Sequence, residues 1–317
     1  MTNFGADSTT DDVLEGVDLT GRRLVITGAS TGLGEETSRA LAAHGASITM
    51  AVRDPARGDA AAERIRAGTP DADLEIRRLD LSSLASVRSF ADGFLADHDR
   101  INVLINNAGV MACPYGTTED GFESQFGTNH LGHFLLATLL APALVAGAPS
   151  RLIALSSAGH RRADVDLDDP GFERTPYEEW AAYGRAKTAN VLFAVEFDRR
   201  FADQGVRALA VHPGLIATEL GRHLTEETLA TLTASMSSRG EVTWKTVPQG
   251  AATSVWAATS PDLDAVGGRY LEDCHVADIN SDPDSRGGVM SYAVDPDRAA
   301  GLWSLSESLV GIATADA

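Results

Sequence analysis

The sequence predicts an α/β fold built on one doubly wound parallel sheet. Short runs rich in β-branched and aliphatic residues alternate along the chain with helical patterns of ten residues or more. Such alternation is typical of strand–helix–strand units, whose right-handed crossovers place helices on both faces of a parallel sheet. No Pro-, Gly- or Ser-rich linker divides the 317 residues, so we expect a single domain with a sizeable core.

The expected elements follow this alternation. The strands are short and bounded by turn residues, and they cover residues 22–27, 47–53, 74–79, 101–106, 151–156, 206–212 and 269–271. The helices occupy the intervals between them, and a final helix is expected at 295–311. Residues 1–20 are polar and acidic with few apolar positions, so they are expected to form a loosely held, flexible arm. The domain itself is expected to span residues 21–317.

The charge balance excludes several classes of binding protein. The chain carries 26 Lys plus Arg against 45 Asp plus Glu, a formal net charge of −19. Proteins that bind nucleic acid non-specifically or dock on anionic membranes need a basic surface, so neither partner is expected. The two cysteines, Cys113 and Cys274, lack metal-ligand spacing, so neither a metal site nor a disulfide framework is expected.

Two further features bear on location. The N-terminal sequence MTNFGADSTTDD has neither a basic nor an apolar signal region, so a cytoplasmic protein is expected. Residues 131–147 are strongly apolar, but they contain His133 and Pro142 and fall short of the about 20 residues that a membrane span needs. We therefore expect a helix buried in the protein, with no membrane insertion.

A glycine-rich turn follows the first expected strand and opens the first long helix. Its sequence is TGASTGLG, residues 27–34. Glycines let the backbone turn tightly and approach a pyrophosphate, while the helix N-terminus supplies free N–H groups and a positive dipole end. The strand–turn–helix setting favours a dinucleotide site over an ordinary turn. The candidate cofactor-binding residues of this turn are Gly28, Ser30, Thr31, Gly32, Leu33 and Gly34.

The end of the second expected strand bears on which dinucleotide is bound. NAD-specific sites place an acidic residue there to hold the ribose 2′-hydroxyl. Here Val52 is followed by Arg53, whose guanidinium suits a 2′-phosphate. NADP(H) is therefore favoured. NAD stays open, because Asp54 could hold the ribose instead of capping the next helix.

A tyrosine and a lysine lie four residues apart in the sequence YGRAK. Tyr183 and Lys187 would lie on one face of a helix, where the ammonium would favour phenolate and lower the tyrosine pKa. Such a phenol can act as an acid/base catalyst. The chain has five Tyr and only two Lys, so chance would produce this pattern about 0.03 times. We therefore favour a functional pair over a chance pair on the protein surface.

Together these motifs resemble the short-chain dehydrogenase/reductase family over about residues 20–275. Within the family, the segments VRD, TNHLGHFLL, SSAGH, YGRAKTANVLF and VHPG look most like the retinol-dehydrogenase-like branch. The resemblance implies a Rossmann-type sheet and a nicotinamide-dependent oxidoreductase. That branch accepts bulky apolar alcohols and ketones and commonly prefers NADP(H). The matching features are TGASTGLG, Arg53, Asp80-Leu81, NNAG at 106–109, Asn129, Ser156-Ser157, Tyr183 with Lys187, and PGLIAT at 213–218.

The resemblance also implies roles for individual residues. Tyr183 would be the general acid/base, Ser157 would hydrogen-bond the substrate oxygen, and Lys187 would bind the nicotinamide ribose. Asn129 would hold a water that links Lys187 to a proton relay. Ser157 is chosen over Ser156 because the second serine matches the family pattern. Further cofactor contacts are expected from Asp80 and Leu81 at the adenine, from Asn107, Ala108 and Gly109, and from Pro213, Gly214, Ile216 and Thr218 over the nicotinamide.

The chain departs from the common family pattern in one segment. Ser157 and Tyr183 lie 26 residues apart, about twice the family's usual spacing, because of an acidic insertion at 161–180. We expect the insertion to border the substrate entrance, although a surface loop with no role is the alternative. Residues 215–247 are expected to form a mobile substrate loop. By family analogy, helices near 123–147 and 183–201 could build a homodimer or homotetramer interface.

The expected activity is a reversible, metal-free interconversion of a carbonyl compound and an alcohol with NADP(H). One alternative is a 3-oxoacyl-type reductase, which performs the same chemistry on another small molecule. A second is a non-catalytic NADP-binding sensor, which would be expected to lose the catalytic residues. A nucleotide-sugar epimerase or lyase usually has a larger C-terminal substrate domain than the chain after Thr218 allows.

Overall fold

The computed structural model describes residues 4–221, 243–282, 285 and 287–312. In this part of the chain one sheet has the strand order β3-β2-β1-β4-β5-β6-β7-β8. Strands β1 to β7 are parallel, and β8 pairs antiparallel with β7. The expected doubly wound, Rossmann-type fold is confirmed. The strands are β1 Arg23–Thr27, β2 Ser47–Val52, β3 Leu74–Arg78, β4 Val103–Asn106, β5 Ser150–Leu155, β6 Val206–His212, β7 Arg269–Glu272 and β8 His275–Val276.

Helices cover both faces of the sheet. Residues of α1, α2, α3 and α7 share one hydrophobic core with one face, and residues of α4, α5, α6 and α8 share a second core with the other. Two buried layers of this kind are the architecture that an alternating strand–helix sequence favours. The helices are α1 Thr10–Leu14, α2 Gly32–Ala43, α3 Pro55–Gly68, α4 Leu84–Asp97, α5 Ser124–Ala146, α6 Glu179–Phe201, α7 Val247–Thr259 and α8 Pro296–Val310.

The N-terminal segment is packed, and the prediction of a loose arm is wrong for residues 4–20. Helix α1 begins with a capping box, in which Thr9 and Asp12 satisfy each other's backbone N–H groups. Val13 and Leu14 are buried in the core of the α2 and α7 face, and Leu19 follows them. These three apolar side chains hold the otherwise polar segment against the core, because the burial of each one removes apolar surface from water.

Helix α5 is interrupted near its start by one π-helical turn. An α-helical turn at Ser124–Phe126 passes into a π-helix at Gly127–Leu131, and the α-helix resumes at Gly132–Ala146. By length and composition the whole helix could cross a membrane, and 72% of its most apolar window is buried inside the protein. Single π-turns of this kind are frequent at functional sites.

The last helix lies on the two helices that were expected to form an interface between copies. The Trp303 ring of α8 lies 4.9 Å from the Phe134 ring of α5 and 6.1 Å from the Phe193 ring of α6, measured between centroids. The guanidinium of Arg200 stands 4.5 Å from the Trp303 ring. Helix α8 therefore covers part of the apolar surface of α5 and α6 within one chain.

The strand order places a crevice at the carboxyl edge of the sheet. Strand β1 lies between β2 and β4, so the chain leaves β1 and β4 toward opposite faces. At such a switch point, the loops that follow the two strands separate and leave room for a ligand. The candidate site lies there.

Candidate active site

A cavity of about 1290 Å³ opens at the carboxyl edge of the sheet. It runs across the ends of β1 to β6, and almost every sequence-predicted site residue lines it. The exception is Asn129, which lies behind the cavity surface. The predicted residues on the lining are Gly28, Ser30, Thr31, Gly32, Leu33, Gly34, Arg53, Asp80, Leu81, Asn107, Ala108, Gly109, Ser157, Tyr183, Lys187, Pro213, Gly214, Ile216 and Thr218.

The glycine-rich turn fits a dinucleotide pyrophosphate. Gly28 and Gly32 have φ of +67° and +55°, in the left-handed region that favours glycine. A Cβ atom at Gly34 would overlap the carbonyl oxygen of Gly28 and come within 2.6 Å of the Asn107 amide. Thr31, the residue before α2, makes no side-chain cap, so N–H groups at this helix end are available to an anion.

The NNAG segment after β4 braces this turn. The Asn107 side-chain amide donates to the carbonyl oxygens of Thr27 at 2.8 Å and Gly28 at 3.3 Å. The backbone N–H groups of Asn107 and Ala108 both donate to the Thr27 hydroxyl, at 2.9 and 3.0 Å. These four bonds hold the glycine-rich turn against the segment after β4 and form the side of the cavity between β1 and β4.

The end of β2 presents one free guanidinium to the cavity. Arg53 is exposed and forms no ion pair with any residue that the structure describes. Asp54 caps α3, with its Oδ1 accepting the N–H of Ala56 at 3.0 Å. Nearby, Arg57 pairs with Glu219 at 2.6 Å across the cleft, an exposed pair that contributes little to stability.

Ser157 and Tyr183 meet at the opposite end of the cavity. Ser157 follows β5, and its Oγ accepts the N–H of Gly159 at 3.0 Å, which leaves its own proton free to donate. A hydrogen bond from Ser157 lowers the pKa of Tyr183, but burial outweighs it and raises that pKa to about 12. The neighbouring Ser156 donates instead to the Lys187 carbonyl oxygen at 2.8 Å, which is a structural role.

Lys187 is buried beside the tyrosine. Its Nζ lies 5.7 Å from the centroid of the Tyr183 ring and donates to the Leu155 carbonyl oxygen at 2.9 Å. Burial lowers the pKa of Lys187 to about 8. The expectation that this ammonium brings the tyrosine pKa toward neutrality is therefore wrong for this structure, because desolvation acts on both groups and disfavours both charges.

The side chain of Asn129 is held by hydrogen bonds to the backbone and does not line the cavity. Its Oδ1 accepts the Val110 N–H at 2.8 Å, and its Nδ2 donates to the Val110 carbonyl oxygen at 2.9 Å. Its own carbonyl oxygen accepts from Nδ1 of His133 at 2.9 Å. The predicted role of Asn129 in holding a water stays a prediction.

His133 ties this segment to the glycine-rich turn, a connection that the sequence reading missed. Because His133 donates through Nδ1, its Nε2 accepts the hydroxyl proton of Thr27 at 2.8 Å. Burial lowers the pKa of His133 to about 4, so the ring is neutral in this arrangement. The spacing of four residues between Asn129 and His133 on a helix was the available signal.

His212, at the end of β6, joins two loops of the site. Its Nδ1 lies 3.3 Å from the backbone N of Ala158, which follows Ser157, and 3.3 Å from that of Gly214. Both N–H groups donate to it, so its proton is on Nε2. Burial lowers the pKa of His212 to about 3, which keeps it an acceptor. The loops after β5 and β6 are thereby held together.

The segment after β6 closes the cavity over the glycine-rich turn. Gly214 has φ of +96°, and the Lys245 side chain packs directly over it. A Cβ atom at Gly32 would lie 3.5 Å from Thr218, so the two segments approach closely. Of the expected substrate loop, residues 222–242 lie outside the described residues.

Part of the acidic insertion borders the cavity, as the sequence suggested. Arg161, Arg162 and Trp180, at its two ends, line the cavity. Its middle packs elsewhere: Asp164 pairs with Arg298 at 2.8 Å, and Asp169 accepts backbone N–H groups of residues 173–175. The ends of the insertion border the cavity, and its acidic middle braces the fold.

Comparisons with known proteins agree with this geometry. The family model described as short chain dehydrogenase matches residues 22–229. The chain belongs to the short-chain dehydrogenase/reductase family. It is therefore an oxidoreductase that acts on CH–OH donors with NAD(P), and its substrates are small molecules.

Individual relatives place it further within the family. The chain is 42% identical over 296 residues to mouse "Retinol dehydrogenase 12". The aligned region covers 93% of this chain and 88% of that protein. An uncharacterized protein from Mycobacterium paratuberculosis has a crystal structure with TM-score 0.73 and 37% identity, covering 96% of this chain and 98% of that chain. A gluconate 5-dehydrogenase from Burkholderia cenocepacia, in complex with NADP and tartrate, has TM-score 0.64 and 25% identity, covering 80% and 94%.

The burial of Lys187 leads to a prediction about stability. Its pKa of about 8 in the folded enzyme lies below the ordinary 10.5. Between these values the unfolded chain binds more protons, so the stability of the wild type rises with pH. Lys187→Met removes this dependence, and the Leu155 carbonyl oxygen keeps a second donor in Asn190. The quantity to follow is the free energy of unfolding of the variant minus that of the wild type. We expect this difference to fall by about 2 kcal/mol between pH 7 and pH 10, because only the wild type gains stability over that range.

Urea denaturation of the two proteins without cofactor, at half-unit pH intervals, measures this difference. Other titrating groups cancel because they are common to both proteins. A difference that stays constant over the range would show that Lys187 is not desolvated as described.

Proposed function

We propose that this enzyme interconverts a bulky apolar ketone or aldehyde and its alcohol, using NADP(H). The observation that carries the proposal is the meeting of a phenol, Tyr183, and a hydroxyl donor, Ser157, at one end of a cavity whose other end fits a dinucleotide. Both groups can hydrogen-bond a single carbonyl oxygen, which is what carbonyl reduction requires of a protein.

Each catalytic residue has a separate task. When bound, NADPH supplies a hydride to the carbonyl carbon. Tyr183 donates its proton to the carbonyl oxygen, and its pKa of about 12 keeps that proton in place at neutral pH. Ser157 donates a hydrogen bond to the same oxygen as negative charge develops. In the direction of alcohol oxidation, Tyr183 would accept the proton instead.

Lys187 would hold the cofactor ribose and supply positive charge. Among the described residues, one of its three protons is hydrogen-bonded, to the Leu155 carbonyl oxygen. The two others are available to ribose hydroxyls. Their binding would also hold the ammonium beside the tyrosine, where a positive charge favours phenolate over phenol.

The preference for NADP(H) is supported by the charges at the adenosine end. Arg53 lies on the cavity and is not paired with any described carboxylate, while Asp54 is engaged in capping α3. A carboxylate that caps a helix is less available to hold the ribose 2′-hydroxyl, the contact by which an acidic residue selects NAD. A guanidinium can instead bind the 2′-phosphate through charge-assisted hydrogen bonds.

A bulky apolar substrate fits the side chains around the catalytic end. Several large apolar side chains line the cavity together with Tyr183. Such a lining favours an apolar body next to the reacting oxygen. The apolar residues on the lining are Val110, Met111, Trp180, Leu215, Leu220 and Trp244.

We also propose that the enzyme acts in the cytoplasm, because its one helix of membrane-spanning length within the described residues is mostly buried.

Replacement of Tyr183 by Phe tests the catalytic assignment. We expect Tyr183→Phe to lower kcat for NADPH-dependent reduction of 2-acetylnaphthalene by about 10³-fold, because the proton donor is lost. Titration of NADPH fluorescence should still show cofactor binding. Tyr115→Phe removes a phenol hydroxyl from an exposed ring away from the cavity and should leave kcat unchanged. Undiminished turnover by Tyr183→Phe would rule out the proposed role.

Replacement of Arg53 by Ala tests the cofactor preference. We expect Arg53→Ala to raise the KM for NADPH at least about tenfold and to leave that for NADH nearly unchanged, because only NADPH carries the 2′-phosphate. Arg100→Ala, at the amino edge of the sheet, makes the same charge change and serves as the control. Equal effects of Arg53→Ala on both cofactors would contradict NADP selection by this residue.

A further inference from the structure

At the catalytic end of the cavity, an arginine stands over the ring that contacts the catalytic tyrosine. The Trp180 ring lies 6.3 Å from the Tyr183 ring, edge to face, between centroids. The Cζ atom of Arg162 lies 4.9 Å from the centroid of the Trp180 ring. A guanidinium stacked in this way is held in place by the indole face and keeps its N–H groups along its edge.

Arg162 is not paired with any carboxylate of the described residues. It is exposed, lines the cavity, and forms no hydrogen bond or ion pair with another described residue. Within the insertion, Asp164 pairs with Arg298, and Asp166 lies 4.0 Å from Arg185. Glu178 accepts the backbone N–H groups of Trp180 and Ala181 and makes no ion pair with Arg162.

The neighbouring Arg161 is used quite differently. Its guanidinium donates to the carbonyl oxygens of Asn280 at 2.8 Å and Gly288 at 3.2 Å, which fixes a loop beside the cavity. Two consecutive arginines thus have separate tasks. Arg161 fixes a loop, and Arg162 lines the cavity without a hydrogen bond to any described residue.

The carboxylates that line the cavity lie at its far end. Asp54 and Asp80 follow β2 and β3, and Glu219 pairs with Arg57 of α3 on the same side. Arg162 follows β5, on the other side of β1. The net charge of −19 repels anions at long range, but charges beyond about 8 Å are largely screened at physiological ionic strength. The described carboxylates on the cavity lining therefore lie away from Arg162.

We propose that Arg162 is a substrate-binding residue for an anionic group. Resting on the proposed function, this assigns the substrate as a ketone, or its alcohol, with an apolar body and a carboxylate or a similar anion. With the substrate carbonyl at Tyr183, the apolar body would lie along the Trp180 ring. The anion would then reach the guanidinium of Arg162, which is stacked on that ring. A carboxylate suits the paired N–H groups of a guanidinium in geometry and charge.

A matched pair of ketones tests the proposal. The probes are 4-(4-acetylphenyl)butanoate and its primary carboxamide, which has nearly the same shape and no charge. We expect the wild type, with NADPH, to show a kcat/KM about tenfold higher for the acid than for the amide. This ratio should fall about tenfold in R162Q, and less in R162K, which keeps the charge but loses the planar fork.

R174Q is the matched control. Arg174 is also exposed and lies in the same insertion, but it does not line the cavity, so R174Q should keep the wild-type ratio. The ratio should also decrease as NaCl is raised from 0.05 to 0.5 M, because salt screens the pair. A wild-type ratio near one, or a ratio that R162Q does not change, would overturn the proposal.

A binding measurement separates this proposal from the proposed function. If the wild type reduces neither ketone, the proposed function fails, and calorimetry of the acid with the NADP⁺-loaded enzyme decides the inference alone. Binding of the acid that R162Q weakens about tenfold and R174Q does not would support it. Equal binding by the wild type and R162Q would contradict it.

Discussion

The parallel alignment of β1 to β7 is the constraint on which the rest of the structure depends. It brings the carboxyl ends of all these strands to one edge, where residues from distant parts of the sequence share a cavity. The close approach of Gly34 to the Gly28 carbonyl and to Asn107 then forms the dinucleotide end. Without the glycines, a Cβ atom would separate the first turn from β4, and the crevice would have a different shape.

The fold could be predicted because its signals are local. Pro55 with Asp54 marks the start of α3, Ser83 marks that of α4, and the β-rich runs between helices are short and distinct. Handedness then fixes the face of the sheet on which each crossover helix lies. The N-terminal helix was missed because Val13, Leu14 and Leu19 are few, and their burial depends on α2 and α7, which no local pattern reveals.

The candidate site was predictable as a set of residues but not as an electrostatic arrangement. Motif order placed Ser157, Tyr183 and Lys187 together correctly in space. The direction of the Tyr183 pKa was predicted wrongly, because spacing on a helix shows proximity and not the depth of burial. The proton positions on His133 and His212 likewise depend on backbone partners from other strands. His133 joins the end of β1 to helix α5, and His212 joins the loop after β5 to the loop after β6.

Isotope transfer tests the central claim most directly, because it follows the hydride itself. The wild-type enzyme would be incubated with 2-acetylnaphthalene and NADPH deuterated at the transferred position of nicotinamide C4. Mass spectrometry of the alcohol should find one deuterium on the carbinol carbon, with stoichiometric loss of label from the cofactor. An alcohol without deuterium, or no alcohol over a broad panel of ketones and aldehydes, would contradict hydride transfer in this cavity.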